Sequence, residues 1–212
     1  MSVILISHSQ SKDHDSLLDA VAYCARVSNP SNQHNTETNE KLIQYLIKHH
    51  HWSPFEMVSI CLEINTTRDI ARQILRHRSF SFQEFSQRYA VVQDAFIPKE
   101  ARLQDTKNRQ NSMVTEDKAL QQAWLEKQQE LASRSQEVYT WALNQGIAKE
   151  QARAVLPEGM TPSRLYMNGT LRSWIHYIEL RTGVETQLEH RQIALACADA
   201  IAPIFPIRFQ KI

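Results

Sequence analysis

Glycine is scarce in this chain, and its scarcity limits the kinds of binding site that the chain can build. The 212 residues include four glycines, and neither of the glycine-rich motifs that hold dinucleotides or nucleotide phosphates is present. Those motifs place backbone amides at the start of a helix, where they bind phosphate. If this chain binds a nucleotide or a dinucleotide, side chains must therefore hold it.

The composition is that of an ordinary globular protein with balanced charge. Apolar residues make up 42% of the chain, and 24 basic residues face 23 acidic ones, for a net charge of +1. This length and composition predict one domain, over residues 1–212, with a substantial core. A balanced charge disfavours a protein that coats nucleic acid through bulk electrostatics, so we expect no nucleic-acid partner. A strong anion site must be local.

The cysteines and the apolar runs indicate a cytoplasmic protein without a membrane partner. The three cysteines are far apart in the sequence and form no CxxC pair. They therefore favour neither a disulfide framework nor a cysteine-bound zinc ion. The apolar run near the N-terminus is too short for a signal peptide, and no other stretch approaches membrane-spanning length.

Hydrophobic periodicity predicts an α/β fold: a single domain with a mixed or antiparallel sheet flanked by helices, with helices dominating the second half. Asp15, Thr38 and Thr67 are the predicted N-caps of the first three helices. The polar segment 99–113 is predicted to be a mobile loop. The predicted strands are residues 2–7, 58–67 and 163–170, with a fourth at the end of 79–92. The predicted helices are residues 15–28, 39–50, 68–78, 115–144, 149–156, 171–181 and 185–202.

The longest predicted helix, residues 115–144, carries an apolar stripe at helical spacing. We expect its two tryptophans, Trp124 and Trp141, to lie in the core or at a subunit interface. The stripe consists of Leu120, Trp124, Leu131, Val138 and Trp141.

Residues 76–89 concentrate hydrogen-bond donors and positive charge. The segment "RHRSFSFQEFSQRY" holds three arginines, a histidine, three serines and two glutamines, against one acid, Glu84. Basic residues at the end of a helix stabilise its dipole by about 0.3–1 kcal/mol each, which alone could explain residues 76–78. That explanation does not cover Ser86 and Arg88, which repeat the same chemistry further along. Because arginine suits bidentate recognition of phosphate, the segment predicts a site for a phosphate and a heterocycle.

The spacing inside this segment resembles the signature of the flavin-dependent thymidylate synthases. That signature is Arg-His-Arg, seven residues, Ser, any residue and Arg, and the chain satisfies it at every fixed position. Ser53 stands where the family usually has threonine, and Thr170 where some members have asparagine. Met57 and Glu185 stand where many members have histidine. Similarity extends along nearly the whole chain, through "HWSPFE", "ARQILRHR", "QARAVLP", "LRSWIHYIELR" and "TQLEHRQ".

The resemblance implies the reductive methylation of dUMP to dTMP. It also implies methylenetetrahydrofolate as carbon donor, FAD as the cofactor that supplies hydride, and NADPH as reductant. The family is typically a homotetramer with its sites at subunit interfaces, so we expect the same here. The resemblance assigns FAD to Ser53, Arg76, His77, Arg78, Glu84, Thr170, Arg172 and His176. It assigns dUMP to Gln73, Arg76, Glu84, Phe85, Ser86, Gln87, Arg88, Arg153 and Arg181.

Arg181 is the expected catalytic residue, because the resemblance places it on the uracil ring. A permanently charged guanidinium there can stabilise negative charge that develops on the pyrimidine. No protein nucleophile is expected: none of the cysteines has basic neighbours that favour a thiolate, and Ser86 has no evident base. The three histidines at 49–51 would splay around a helix, so we expect no metal; among them, His51 matches a family histidine near the active site.

Two other functions stay open at this stage. One is a flavoprotein of the same fold that acts on a different nucleotide. The other is an RNA-binding module that uses the arginine and aromatic residues of 76–89, although the near-neutral charge counts against it. A bound flavin, visible by its absorption, would separate both enzymes from the RNA-binding module.

Overall fold

The computed structural model describes residues 1–92 and 95–206. Its centre is an antiparallel sheet of four strands in the order β1-β2-β6-β3, and a small hairpin, β4-β5, lies apart from it. The strands are β1 Ser2–His8, β2 Ser59–Thr67, β3 Ser81–Glu84, β4 Arg102–Gln104, β5 Ser112–Val114 and β6 Pro162–Thr170. The helices in the described ranges are α1 Leu17–Ala25, α2 Asn39–Lys48, α3 Arg68–Ile74, α4 Lys118–Asn144, α5 Lys149–Ala152, α6 Leu171–Arg181 and α7 Leu188–Ile201.

The central pair of strands, β2 and β6, is aligned over its full length. Pairing runs from Ser59 opposite Thr170 to Thr67 opposite Pro162. Alternate side chains of both strands are buried, as expected where one face of a sheet packs on helices. The predicted α/β class and the antiparallel form of the sheet are confirmed. No helix in the two described ranges is long and apolar enough to cross a membrane.

The helix starts differ in detail from the predictions. Ser16, not Asp15, caps α1: its hydroxyl accepts a hydrogen bond of 3.1 Å from the backbone amide of Asp19. Thr38 and Thr67 do occupy the N-cap positions of α2 and α3, but neither side chain makes a capping hydrogen bond. The Thr38 hydroxyl instead accepts a bond of 3.0 Å from the buried Arg26 guanidinium. The Thr38 side-chain oxygen, which the local sequence assigned to a helix cap, is therefore used in a tertiary hydrogen bond.

Helix α3 ends earlier than predicted, and strand β3 lies earlier in the segment 79–92 than predicted. The helix ends at Ile74, so the Arg-His-Arg segment at 76–78 lies outside it. The residues at 79–92 begin with the strand Ser81–Glu84 and end as turns, the reverse of the predicted order. The helix-dipole explanation of residues 76–78 therefore weakens, because the dipole effect falls off beyond the last turn.

The polar segment 99–113, predicted to be a mobile loop, includes most of a hairpin. Arg102 of β4 pairs with Val114 of β5. The turn between the strands is organised by Asp105, whose carboxylate accepts from the amides of Lys107 at 2.8 Å and Asn108 at 3.2 Å. These two bonds lower the pKa of Asp105. The prediction was wrong because it weighed polarity and did not weigh this turn chemistry.

Helix α4 packs on the rest of the chain through Gln128, Ser135, Tyr139 and Ala142, and most of its predicted apolar stripe is exposed. Gln128 is buried and exchanges two hydrogen bonds, of 2.7 and 2.9 Å, with the backbone of Lys99. Ser135 donates to the carbonyl of Val155 at 2.6 Å. Trp124 and Trp141 are 45% and 58% exposed, which excludes the core and leaves a subunit interface as the prediction.

Candidate functional site

The segment 75–80 runs along helix α6 in the opposite direction. Arg181, at the end of α6, donates through Nε to Nε2 of His77 at 2.9 Å. Ser173, near the start of α6, donates to the carbonyl of Ser79 at 3.2 Å. Positions 173, 177 and 181 share one face of the helix because they are four residues apart. The Arg-His-Arg segment therefore lies against α6, which brings His77, assigned to FAD, next to Arg181, assigned to dUMP.

Phe80 and Gly169 fix the path of this segment over the sheet. The Phe80 ring packs edge-on against Trp174, with centroids 4.8 Å apart. A Cβ atom on Gly169 would lie 2.4 Å from Cδ1 of Phe80, closer than any side chain tolerates. Glycine at this position of β6 thus lets the aromatic ring sit directly on the strand. Any larger residue would push the Arg-His-Arg segment away from α6.

The bond between Arg181 and His77 defines the charge state of the histidine. Because the guanidinium can only donate, Nε2 of His77 must accept, and the ring is neutral with its proton on Nδ1. Burial and, to a smaller extent, the Arg181 cation together lower the pKa of His77 to about 4. Within the described ranges, no residue accepts a hydrogen bond from the two Nη atoms of Arg181. Those donors are available to a ligand.

Gln73 is held from behind by His190, a residue to which the sequence analysis gave no role. His190 lies on α7 with no exposed surface. Its Nδ1 is 3.2 Å from Oε1 of Gln73, and its Nε2 is 3.1 Å from the hydroxyl of Tyr177. The Tyr177 ring in turn packs edge-on against His77, with centroids 4.9 Å apart. We call Gln73, His77, Tyr177, Arg181 and His190 the α6 cluster.

The hydrogen bonds continue from the α6 cluster to the hairpin. Gln73 donates to Gln187 at 2.7 Å, and Gln187 donates to Glu189 at 3.0 Å. Glu189 forms an ion pair with Arg102 of β4. The sequence contained one signal for this network, namely polar residues at 187, 189 and 190 at the start of a helix that otherwise packs into the core.

Three residues assigned to FAD meet at the start of α6. The 3₁₀ turn Ser53–Glu56 packs beside the helix, and Arg172 forms an ion pair with Glu56. The His176 ring lies 4.5 Å from the Trp52 ring in an edge-on contact. Burial and the Arg172 cation lower the pKa of His176. Arg172 and His176 share one face of α6 because they are four residues apart, and the turn that contains Ser53 packs beside this helix.

The other residues assigned to FAD differ in how they are engaged. Arg76 and Arg78 are exposed, and in the part of the chain that the structure describes neither pairs with a carboxylate. The Thr170 hydroxyl caps α6 by accepting from the amide of Ser173. Glu84 accepts from the Ser163 hydroxyl at 2.7 Å and lies 3.6 Å from Arg68 and 3.8 Å from Arg72.

The remaining nucleotide residues form a second group beside α5. Arg88 lies 3.3 Å from Glu150 of that helix, and Arg153 follows one turn later. Gln87 is buried, and its Nε2 has no hydrogen-bond partner among the described residues. Phe85 lies at the start of this turn and is 37% exposed. We call Ser86, Gln87, Arg88 and Arg153 the α5 cluster. In residues 1–92 and 95–206, no hydrogen bond or ion pair joins it to the α6 cluster.

Comparison with known proteins identifies the family. The family model described as thymidylate synthase complementing protein matches residues 5–207. A probable flavin-dependent thymidylate synthase of Paramecium bursaria Chlorella virus 1 is 53% identical over 188 residues, which cover 89% of this chain and 87% of that protein. The chain belongs to the flavin-dependent thymidylate synthases. It is therefore an enzyme of dTMP formation that depends on a flavin, as the signature in residues 76–88 predicted.

Two further relatives support membership of the flavin-dependent thymidylate synthases. The flavin-dependent thymidylate synthase of Synechocystis sp. is 50% identical over 186 residues, covering 88% of this chain and 85% of that protein. A crystal structure of the UMP/dUMP methylase PolB from Streptomyces cacaoi, bound with 5-Br dUMP, superposes with a TM-score of 0.83. It is 29% identical, over 96% of this chain and 90% of that one. The predicted fold class is thus found in a solved relative.

Proposed function

We propose that this chain methylates dUMP to dTMP with the residues of the α6 and α5 clusters. Methylenetetrahydrofolate is the carbon donor, and NADPH is the reductant. The observation that carries the assignment is the bond between Arg181 and His77, which joins a residue proposed for the uracil ring to one proposed for the flavin. We further propose a single domain over residues 1–212, of which 93–94 and 207–212 lie outside the described part, and a cytoplasmic location.

The donor set beside α6 fits FAD. Arg76, Arg78 and Arg172 supply positive charge for a pyrophosphate, and Ser53 and His176 add hydrogen-bonding groups. Side chains thereby replace the glycine-rich turn that this chain lacks. FAD, when bound, supplies the hydride. Glu84 and Thr170 stay predicted contacts, and both would have to share bonds that they already make within the chain.

Arg181 is the proposed catalytic residue. Its Nε is fixed on His77, so its Nη donors have a defined direction toward a ligand. A guanidinium aimed at the pyrimidine stabilises the negative charge that develops as C5 becomes nucleophilic. We expect no thiolate nucleophile at Cys61 or Cys197, because burial raises the pKa of both thiols. Among the described residues, no histidine or carboxylate hydrogen-bonds the Ser86 hydroxyl either.

The α5 cluster is proposed to hold the nucleotide phosphate, and to do so across a subunit interface. Arg88 and Arg153 offer two cations near the same short helix. Their separation from the α6 cluster is explained if the α5 cluster of one subunit completes the site of another. The exposed apolar stripe of α4 supports a homotetramer, since contiguous apolar surface of this kind favours association.

The test is an anaerobic titration of the purified protein. NADPH should bleach the absorption of bound flavin, and reoxidation should need both dUMP and methylenetetrahydrofolate, with dTMP as the product on chromatography. Either co-substrate alone should leave the flavin reduced. A protein that takes up no FAD, or that reoxidises without forming dTMP, would contradict the proposal.

UMP is a second candidate substrate. The PolB relative is named a UMP/dUMP methylase, and it has been crystallised with 5-Br UMP as well as 5-Br dUMP. Running the same titration with UMP at equal concentration separates the two. We expect faster turnover of dUMP, and equal turnover would assign this chain to both nucleotides.

A further inference from the structure

We propose that His190 is a positioning residue for the nucleotide site, acting through Gln73 and Tyr177. The inference rests on the proposed function, because Gln73 and Arg181 matter to nucleotide binding only if this chain binds dUMP. His190 touches neither proposed ligand itself. It lies behind the site, on α7, with both ring nitrogens engaged.

The direction of each hydrogen bond around His190 is determined by its neighbours. The amide nitrogen of Gln73 donates to Gln187, so the Gln73 atom that faces His190 is its oxygen, which can only accept. Nδ1 of His190 must therefore donate. In a neutral ring Nε2 then accepts, and the Tyr177 hydroxyl is its donor. Each hydrogen bond around the neutral His190 therefore has only one possible direction.

The histidine is held in the neutral state that this arrangement needs. Burial, together with the nearby Arg181 and His77, lowers the pKa of His190 to about 3. A charged ring would donate from both nitrogens, so the Tyr177 hydroxyl would have to accept and could no longer donate to the ring. Neutrality therefore preserves both arms of the network at physiological pH.

Two arms lead from His190 to the proposed ligand residues. The Nδ1 arm fixes which end of the Gln73 carboxamide points inward, since a flipped amide would place two donors against each other. The Nε2 arm holds Tyr177, whose ring supports His77, which in turn holds Arg181. A single buried residue thus orients side chains at two ends of the nucleotide site.

A buried histidine could instead serve only the packing of α7, so the test must separate the two roles. His190→Asn keeps an N–H near the position of Nδ1, whereas His190→Gln keeps an acceptor near Nε2 and leaves Gln73 without its donor. The two variants are matched in polarity and differ in which hydrogen bond of His190 they keep, the one to Gln73 or the one to Tyr177. The measurements are the Kd of dUMP on the FAD-loaded protein by calorimetry, the FAD content and the thermal midpoint.

We expect His190→Gln to raise the Kd of dUMP by about tenfold, the effect of one misplaced hydrogen bond, while FAD content stays at the wild-type level. His190→Asn should stay within about threefold of wild type, because it restores the bond to Gln73. In the background of Gln73→Ala, His190→Gln should add little, since the residue through which it acts is gone. This non-additivity is what a packing role would not produce.

Several results would overturn the inference. Equal dUMP affinity in the two variants, or additive losses with Gln73→Ala, would show that His190 does not act through Gln73. Parallel losses of dUMP affinity, FAD content and thermal midpoint would reduce it to a packing residue. Failure of the wild-type protein to bind dUMP would overturn the proposed function together with the inference, and so is distinguishable from the other outcomes.

Discussion

The two halves of the proposed nucleotide site differ in how far the chain itself has built them. In the α6 cluster, Gln73, His77 and His190 are tied to neighbours by hydrogen bonds of 2.7 to 3.2 Å. In the α5 cluster, the Arg88 side chain is 60% exposed and meets one carboxylate on the surface. The chain's own hydrogen bonds therefore hold the α6 cluster in place before a ligand binds, whereas the geometry of the α5 cluster depends on its ligand.

This difference fits the chemistry proposed for each half. A group that stabilises developing charge must be in place beforehand, because reorganisation during the reaction costs free energy. A phosphate is charged throughout, so flexible arginines can close on it as it binds. The buried Gln87 amide, which has no hydrogen-bond partner among the described residues, agrees with the proposal that another subunit completes the α5 cluster.

Removing the guanidinium of Arg181 should have the largest effect. We expect Arg181→Ala to lower kcat by about 10²–10³-fold, the usual loss for one preorganised charge-stabilising donor. Retained FAD absorption would show that the cofactor site survives. Arg181→Lys is the matched control for charge, and it should also be slow because an ammonium lacks the planar fork that reaches both His77 and a ligand. Normal turnover in Arg181→Ala would remove the catalytic assignment.

A change in the α5 cluster should act on binding rather than on stability. Arg88→Ala should raise the KM for dUMP by about tenfold, since a charge-assisted phosphate bond contributes about 1.5–3 kcal/mol. Its exposed ion pair with Glu150 contributes about 0–1 kcal/mol, so the thermal midpoint should hardly move.

Arg134→Ala is the control for Arg88→Ala, because Arg134 also forms an exposed ion pair, with Glu137 on α4. It should leave both the KM and the thermal midpoint unchanged. If the two variants behaved alike, Arg88 would have no part in nucleotide binding.

The smallest expected effect is on the pH dependence of stability, to which His190 of the α6 cluster contributes. The folded-state pKa of His190 is lowered to about 3 from an ordinary value of 6.5, with Arg181, His77 and Tyr177 facing the ring. Below pH 6.5 the unfolded chain therefore binds a proton that the folded chain does not, and the free energy of unfolding falls as pH decreases.

Substituting His190 should remove this contribution. Between pH 6 and 4, the free energy of unfolding of His190→Asn should fall less steeply than that of wild type, by up to about 1.4 kcal/mol per pH unit. Urea unfolding at several pH values measures the slope. Arg88→Ala should follow the wild-type curve. If His190→Asn had the same slope as wild type, the wild-type His190 ring would titrate in the folded chain as it does in the unfolded chain.

Sequence reasoning singled out candidate site residues by their chemical type and their spacing. The Arg-His-Arg segment, Arg88, Arg153 and Arg181 stand out because each is a cation within a recognisable pattern. The long strands β2 and β6 match predicted strands, and in β2 the β-branched residues and the partial alternation indicate the strand. Such features need no knowledge of distant partners.

What sequence reasoning missed depends on contacts between segments far apart in the chain. His190 meets Gln73 from 117 positions away, and nothing local to either residue indicates the bond. In helix α4 the face that packs on the rest of the chain was missed, because Gln128 and Ser135 dock through hydrogen bonds to distant backbone groups while the tryptophans stay outside the core. Periodicity identifies an apolar face but does not say what will cover it.

The most direct test of a site built from two unlike halves is complementation between two damaged variants. Arg181→Ala disables the α6 cluster, and Arg88→Glu reverses the charge of the α5 cluster next to Glu150. Each variant alone should form little dTMP at a dUMP concentration near the wild-type KM. We predict that co-expression restores dTMP formation, because a mixed oligomer contains some sites with both halves intact. No recovery in confirmed mixed oligomers would contradict the account, and would place both clusters within one subunit's own site.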